Sequence, residues 1–262
     1  MFPLLPFPDT TEFVLFALVM GRVGGILSSI PLFGGKSVPM RIKVVLVFVM
    51  ALVFFPIVRA GLPQVPTDSV SLVLLVLKES LVGISLGLLS QVIFSAVEFF
   101  GQIVGTQMGL SASSLFDPAM GGQVSVMSVL QNMLAMLLFL SLGLHHLFIR
   151  AVVESYQVVP LGAWHVSPGL YTFVVTATGE VFIIAIKLAA PVMASLMVAT
   201  MALGVMARVF PQMNIFMMSF PLNIGLGFLV LGATLLAFFR TLGNVFAGLD
   251  GQITALFRLI GS

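Results

Sequence analysis

From Val70 to Phe100 the sequence stays apolar for longer than a bilayer is thick, yet it carries the adjacent charges Lys78 and Glu79. As one helix it would be roughly 45 Å long, against a hydrocarbon core of about 30 Å, so it must tilt strongly, break or protrude. Lys78 and Glu79 point about 100° apart on a helix and cannot pair with each other on one face. Each needs a partner elsewhere. The chain as a whole is 60% hydrophobic and 8% charged, with mean hydropathy +1.21, outside the range of soluble globular domains. Backbone groups in lipid must be satisfied within their own segment. The sequence therefore predicts an all-α integral membrane protein, or a subunit of one.

The other runs share this pattern of apolar length interrupted by charge or proline. Asp9, three residues before Glu12, resembles a helix-capping box, and the opening MFPLLPFPDTTEF lacks the basic start of a signal peptide. Phe13 to Phe33 contains Arg22 among several glycines. A lone arginine at that depth costs roughly 2.5–3.5 kcal/mol on insertion scales, so it must face protein or water. Lys36, Arg41 and Lys43 cluster in the connection Gly34 to Lys43, which the positive-inside rule puts on the cytoplasmic side. Val44 to Val58 is short for a span. Val124 to Leu147 reads as one run ending at His145 and His146, with Arg150 and Glu154 spaced to pair beyond it. After the Pro-rich connection Val158 to Pro168, Leu170 to Met206 is apolar apart from Glu180 and Lys187, and Pro191 is expected to kink it. Ala207 to Asn214 then turns the chain into Ile215 to Phe239, which contains Pro221. Arg240 to Ser262 places Val245, Leu249, Ile253, Leu256 and Phe257 at helical spacing, an amphipathic final helix. Five or six spans result.

Between the third and fourth runs, Gly101 to Gln123 (GQIVGTQMGLSASSLFDPAMGGQ) is too rich in Gly, Ser and Gln to face lipid as an ordinary helix. Gly101, Gly105 and Gly109 recur every fourth residue, where another backbone can approach closely. After Gly109 come serines that bond their own backbone, Asp117-Pro118, which favours a turn, and the pair Gly121-Gly122. The segment reads as a re-entrant or plugging loop; the alternative is a polar connection outside the bilayer.

Several chemistries are not supported. The net charge of +2 arises from 11 basic and 9 acidic residues, which does not suggest nucleic acid. There is no cysteine, hence no thiol nucleophile, disulfide or Cys-ligated metal. His145 and His146 diverge on a helix and HExxH is absent, so no metal or other cofactor is predicted. The aspartates Asp9, Asp68, Asp117 and Asp250 lie outside clear spans, and no catalytic residue is assigned. Glu79, Glu98, Glu180 and Lys187 are consistent either with a proton relay in a secondary transporter of small molecules or with structural pairing between subunits.

The stretch Arg208-Val209-Phe210-Pro211-Gln212-Met213-Asn214-Ile215-Phe216, followed by Phe220-Pro221, resembles the FliR family, the membrane subunit of the flagellar type III export gate, whose virulence-secretion relatives share the pattern. Arg22 in a glycine-rich first run, Pro31, Pro39, the glycine ladder with Gln107, and Asp117-Pro118 extend the likeness over almost the whole chain. The resemblance implies a non-enzymatic subunit in the bacterial inner membrane at the flagellar basal body. It further implies kinked helical hairpins in a helical hetero-oligomeric ring, much of it lifted out of the bilayer plane. Residues 1–169 would be FliP-like and 170–262 FliQ-like, with partners among FliP-like and FliQ-like subunits, other export membrane proteins, lipid and unfolded export substrates. Gly105, Gln107, Met108, Gly109, Leu110, Leu115, Phe116, Asp117, Pro118 and Met120 would belong to a plug in the conduit. Arg22, Lys78, Glu79, Glu180, Lys187, Arg208, Pro211, Gln212, Asn214, Phe216 and Pro221 would serve assembly.

Overall fold

The fold was examined in a computed structural model, which describes residues 10–35, 38–59, 68–110, 125–165, 167–212 and 214–261. Among these residues all regular structure is helical: α1 (Thr10–Ser29), α2 (Pro31–Gly34), α3 (Met40–Val58), α4 (Ser69–Gln107), α5 (Val126–Ser141), α6 (Leu144–Val158), α7 (Pro168–Val209), α8 (Ile215–Ala247) and α9 (Leu249–Gly261). Among the described residues five stretches are long and apolar enough to cross a membrane, or six if the broken pair α5 and α6 counts as one span, in agreement with the number expected. Two compact units are present, one of residues 1–92, 143–177 and 248–262, the other of residues 93–142 and 178–247.

In the first unit α1 is the centre. Leu18, Val19, Val23 and Ile26 are buried, and Phe16 meets Phe48 and Phe55 of α3 edge-on at 5.5 and 5.8 Å. Its glycine side packs on α4, where Gly25 faces Gly83 and Ser29 faces Gly87 with no room for added side chains. α6 contributes Phe148, Ala151, Val152 and Ser155 to the core. α9 is amphipathic as the spacing predicts: Leu249, Ile253, Leu256, Phe257 and Ile260 are buried. Asp250 in its first turn and Arg258 in its last complement the helix dipole.

The second unit is built on phenylalanine. Phe94, Phe139 and Phe246 form a three-ring cluster with centroids 5.8 to 6.0 Å apart, and Phe100 lies 5.9 Å from Phe238. α7 and α8 are joined by residues 210–214. Asn214 caps α8, its Oδ1 accepting from the Met217 N–H at 3.2 Å. Pro191 and Pro221 lie within α7 and α8.

Several boundaries differ from those expected. α3 begins at Met40, so Arg41 and Lys43 belong to its first turn, and its 19 residues qualify as a span. α4 continues through Gly101 and Gly105, so the non-helical loop starts only after Gln107. The run Val124 to Leu147 is not one helix: it breaks at Leu142 and Gly143, the latter at φ +68°, and His145 and His146 open α6 instead of closing a span. A left-handed glycine ends a helix even where flanking residues are apolar. Arg240 to Ala247 complete α8, and only the residues from Leu249 form the final helix. Asp9 of the expected capping box lies outside the described residues.

Candidate functional site

In the first unit the charges that the sequence leaves without partners converge on one buried cluster. Arg22 and Glu79 are both fully buried, and Arg22 Nε donates to Glu79 Oε2 at 2.6 Å. Arg22 Nη1 donates to Ser155 Oγ at 3.2 Å and to the Val159 carbonyl at 3.1 Å. Its guanidinium lies 4.0 Å above the Tyr156 ring, an attractive arrangement where water is excluded. Glu79 Oε1 accepts from the Gly162 N–H at 3.0 Å, and Lys78 Nζ donates to the Gly162 carbonyl at 3.2 Å. The adjacent charges, unable to pair with each other, thus grip the same glycine. Gly162 sits at φ +75°, a conformation open to glycine at little cost. The cluster ties α1, α4 and α6 to the connection that follows α6. Arg22 and Glu79 counter each other and share hydrogen bonds with their surroundings, as a tolerated buried pair requires, while Arg22 Nη2 is left without a hydrogen-bond partner among the described residues.

The sequence predicts partners for Lys78 and Glu79 and has Arg22 face protein or water; it faces protein. Sequence reasoning missed Ser155, Tyr156, Val159 and Gly162. Gly162, beside Pro160 in a short connection, was the one legible signal for a backbone turn there.

In the second unit the glycine ladder forms the base of the predicted loop. A side chain on Gly101 would collide with the backbone of Ser128, and one on Gly105 with Ser125 Oγ. Ser128 Oγ donates to the Glu98 carbonyl at 2.9 Å, joining the end of α4 to the start of α5. Met108 is fully buried and packs against Gly227, where an added Cβ would come within 2.7 Å of its sulfur. Gly109 takes φ +81° beside Phe220, and Leu110 closes the turn through its N–H to the Gly105 carbonyl at 3.0 Å. Gly105, Gln107, Met108, Gly109 and Leu110, which the resemblance assigns to a plug, lie at and just beyond the end of α4. Leu115, Phe116, Asp117, Pro118 and Met120 lie outside the described residues. Gln107 lines a groove with Met193, Met197 and Met201 of α7.

The remaining site residues are not gathered with these. Glu180 and Lys187 make no ion pair among the described residues. Arg208, Pro211, Gln212 and Asn214 are exposed at the α7–α8 connection, and Pro221 lies on α8; the side chain of Phe216 is outside the described set. The expected pair Arg150 and Glu154 forms at 3.1 Å, and Arg150 also reaches Asp250 of α9 at 3.0 Å.

Comparison with known proteins accounts for nearly the whole chain. Residues 13–249 match the family described as bacterial export proteins, family 1. The flagellar biosynthetic protein FliR of Bacillus subtilis (strain 168) is 32% identical over 252 residues, covering 95% of this chain and 96% of that protein. FliR of Escherichia coli (strain K12) is 32% identical over 81% of this chain and 80% of its own length. For FliR of Aquifex aeolicus (strain VF5) the identity is 28%, over 90% and 92%.

Proposed function

Because this chain belongs to the FliR family of bacterial export proteins, a non-enzymatic family of membrane proteins of the flagellar export apparatus, we propose that it is a structural and gating subunit of the export gate. In this reading residues 1–169 form a FliP-like region and residues 170–262 a FliQ-like hairpin with the final helix. FliP-like and FliQ-like subunits complete a helical ring around a conduit for unfolded flagellar proteins. The loop from Gly105 to Gly122 plugs that conduit, with Met108, Leu110, Leu115, Phe116 and Met120 as its apolar sealing residues.

The observation that carries the reading is the construction of the loop's base. The two stems are in close contact, Gly101 on the Ser128 backbone and Gly105 on the Ser125 side chain, while Met108 is buried against Gly227. A plug needs a rigid root and an adaptable tip. Small and apolar residues seal without sequence preference, and an apolar constriction blocks ions by dewetting. Opening is a displacement of the loop and involves no covalent step.

The absence of cysteine makes the test direct. Phe116→Cys is introduced, an export substrate with one cysteine in its translocating segment is stalled, and disulfide formation is followed in cells. A crosslink that requires active export supports the gate. If export proceeds, Cys at 116 is reactive to a soluble thiol reagent and no crosslink forms, the loop lies outside the conduit and the gating role is lost.

A further inference from the structure

Lys187 and Arg240 close off two uncharged stretches of one hairpin at nearly the same height. No charged residue stands between Lys187 and Arg208, nor between Arg208 and Arg240. At about 1.5 Å per residue each cation lies roughly 35 to 38 Å from the connection 210–214, close to the thickness of a hydrocarbon core, about 30 Å. Neither has an ion-pair partner among the described residues, and Glu180 on α7 and Glu98 on α4 do not pair with them.

A cavity of about 230 Å³ adjoins this level, between α4, α5, α7 and α8. Lys187 is in its lining, and so is Thr241, the residue after Arg240. From there the lining follows α8 back to Phe228, roughly 20 Å toward the connection at 1.5 Å per residue. Pro191 and Phe100 contribute apolar walls, and Gln131, itself buried, adds an amide. The site therefore has one cation in its lining, Lys187, with Arg240 exposed just outside it, and a long apolar trough.

We propose that this hairpin binds one anionic phospholipid, with its phosphate on Lys187 and Arg240 and an acyl chain along the trough toward Phe228. A lone lysine in an apolar helix is costly until paired, and basic pockets between membrane helices recognise anionic headgroups. An acidic side chain from a neighbouring protein would neutralise the cations but leave a trough of this length unfilled. The inference rests on the membrane character of the chain and not on the gating role, so either can fail alone.

The test is native mass spectrometry of the full chain in detergent, offered phosphatidylglycerol and phosphatidylcholine in equal amounts. Phosphatidylglycerol is expected to be retained about fivefold or more over phosphatidylcholine. Lys187→Gln with Arg240→Gln abolishes that preference, Lys187→Arg keeps it, and Leu231→Trp, which fills the trough, excludes both lipids while the protein still elutes as one species. Equal retention of the two lipids overturns the proposal, as does undiminished phosphatidylglycerol in the double variant. A carbodiimide crosslink from Lys187 to an acidic residue of a co-purified subunit does so too.

Discussion

The Cα of Gly83 lies 3.0 Å from where a Cβ on Gly25 would sit, and the Cα of Gly25 lies 3.0 Å from where a Cβ on Gly83 would sit. Two helix backbones, α1 and α4, therefore touch with nothing between them. A Cβ on Gly25 would also come within 2.9 Å of the Ile84 nitrogen and 2.5 Å of the Ser80 carbonyl. Backbone cannot swing aside as a side-chain tip can. Gly83→Ala is expected to push the helices apart and cost about 1–3 kcal/mol, the usual range for overpacking. Gly179 has no atom within 4 Å of an added Cβ, so Gly179→Ala is neutral or stabilises by up to about 1 kcal/mol. Thermal unfolding in detergent separates the two, and equal midpoints would refute the contact.

Arg22 and Glu79 depend on each other in a different way. Removing one partner leaves a buried ion uncompensated, a loss of about 3–5 kcal/mol, whereas replacing both by apolar groups removes the burden together with the attraction. Arg22→Met and Glu79→Leu are each expected to lower the protease resistance of the purified protein sharply. The double variant recovers about 1–3 kcal/mol of the summed loss, the coupling typical of residues in contact. Strictly additive losses would show that the pair is not the source of the effect.

How much of this was legible follows from what each feature depends on. The number of spans, the hairpin across residues 210–214 and the need of Arg22 for company depend on local polarity, and the sequence carries them. The glycine ladder is carried only in part, because Gly101 and Gly105 share a face of α4 whatever they pack against, whereas Gly109 lies past the helix end at φ +81°. That Arg22 pairs with Glu79 and not with a neighbour nearer in sequence depends on how α1 and α4 dock, which local pattern does not encode. Ser155 and Val159 enter the cluster only through that docking. The break at Gly143 was hidden because Leu142-Gly143-Leu144 continues the apolar run, and only the left-handed backbone of the glycine reveals it.

The amphipathic face of α9 should hold that helix far more strongly than its salt bridge does. Phe257 is buried, and truncating it to alanine is expected to cost about 3–5 kcal/mol through lost contact and cavity formation. Arg150 bridges Glu154 and Asp250 but is exposed, as is Asp250, and exposed pairs contribute about 0–1 kcal/mol that salt screens further. Proteolysis near the C-terminus reports the detachment of α9. It should rise markedly in Phe257→Ala and hardly at all in Arg150→Ala, and the reverse order would contradict this account.

Two glycines at the loop base separate a rigid contact from a yielding one. A Cβ on Gly101 would be driven into the Ser128 backbone, 2.7 Å from its nitrogen, and would disturb the bond from Ser128 Oγ to the Glu98 carbonyl. The first turn of α5 would have to move, and with it the stem that follows residues 111–124. On Gly227, by contrast, a Cβ would meet only Met108 side-chain atoms, at 2.7 to 2.8 Å. An unbranched methionine with three rotatable bonds can repack. Gly101→Ala is therefore expected to cost about 1–3 kcal/mol and to abolish both protein recovery and motility. Gly227→Ala costs less than about 1 kcal/mol, leaves recovery unchanged and, by unseating Met108, raises ion leakage in resting cells that carry the assembled gate. Recovery measured by quantitative blotting, with swim-halo diameter and ion leakage followed alongside, distinguishes these outcomes. If Gly227→Ala abolished recovery as completely as Gly101→Ala, Met108 would be a fixed part of the stem and not its adaptable end.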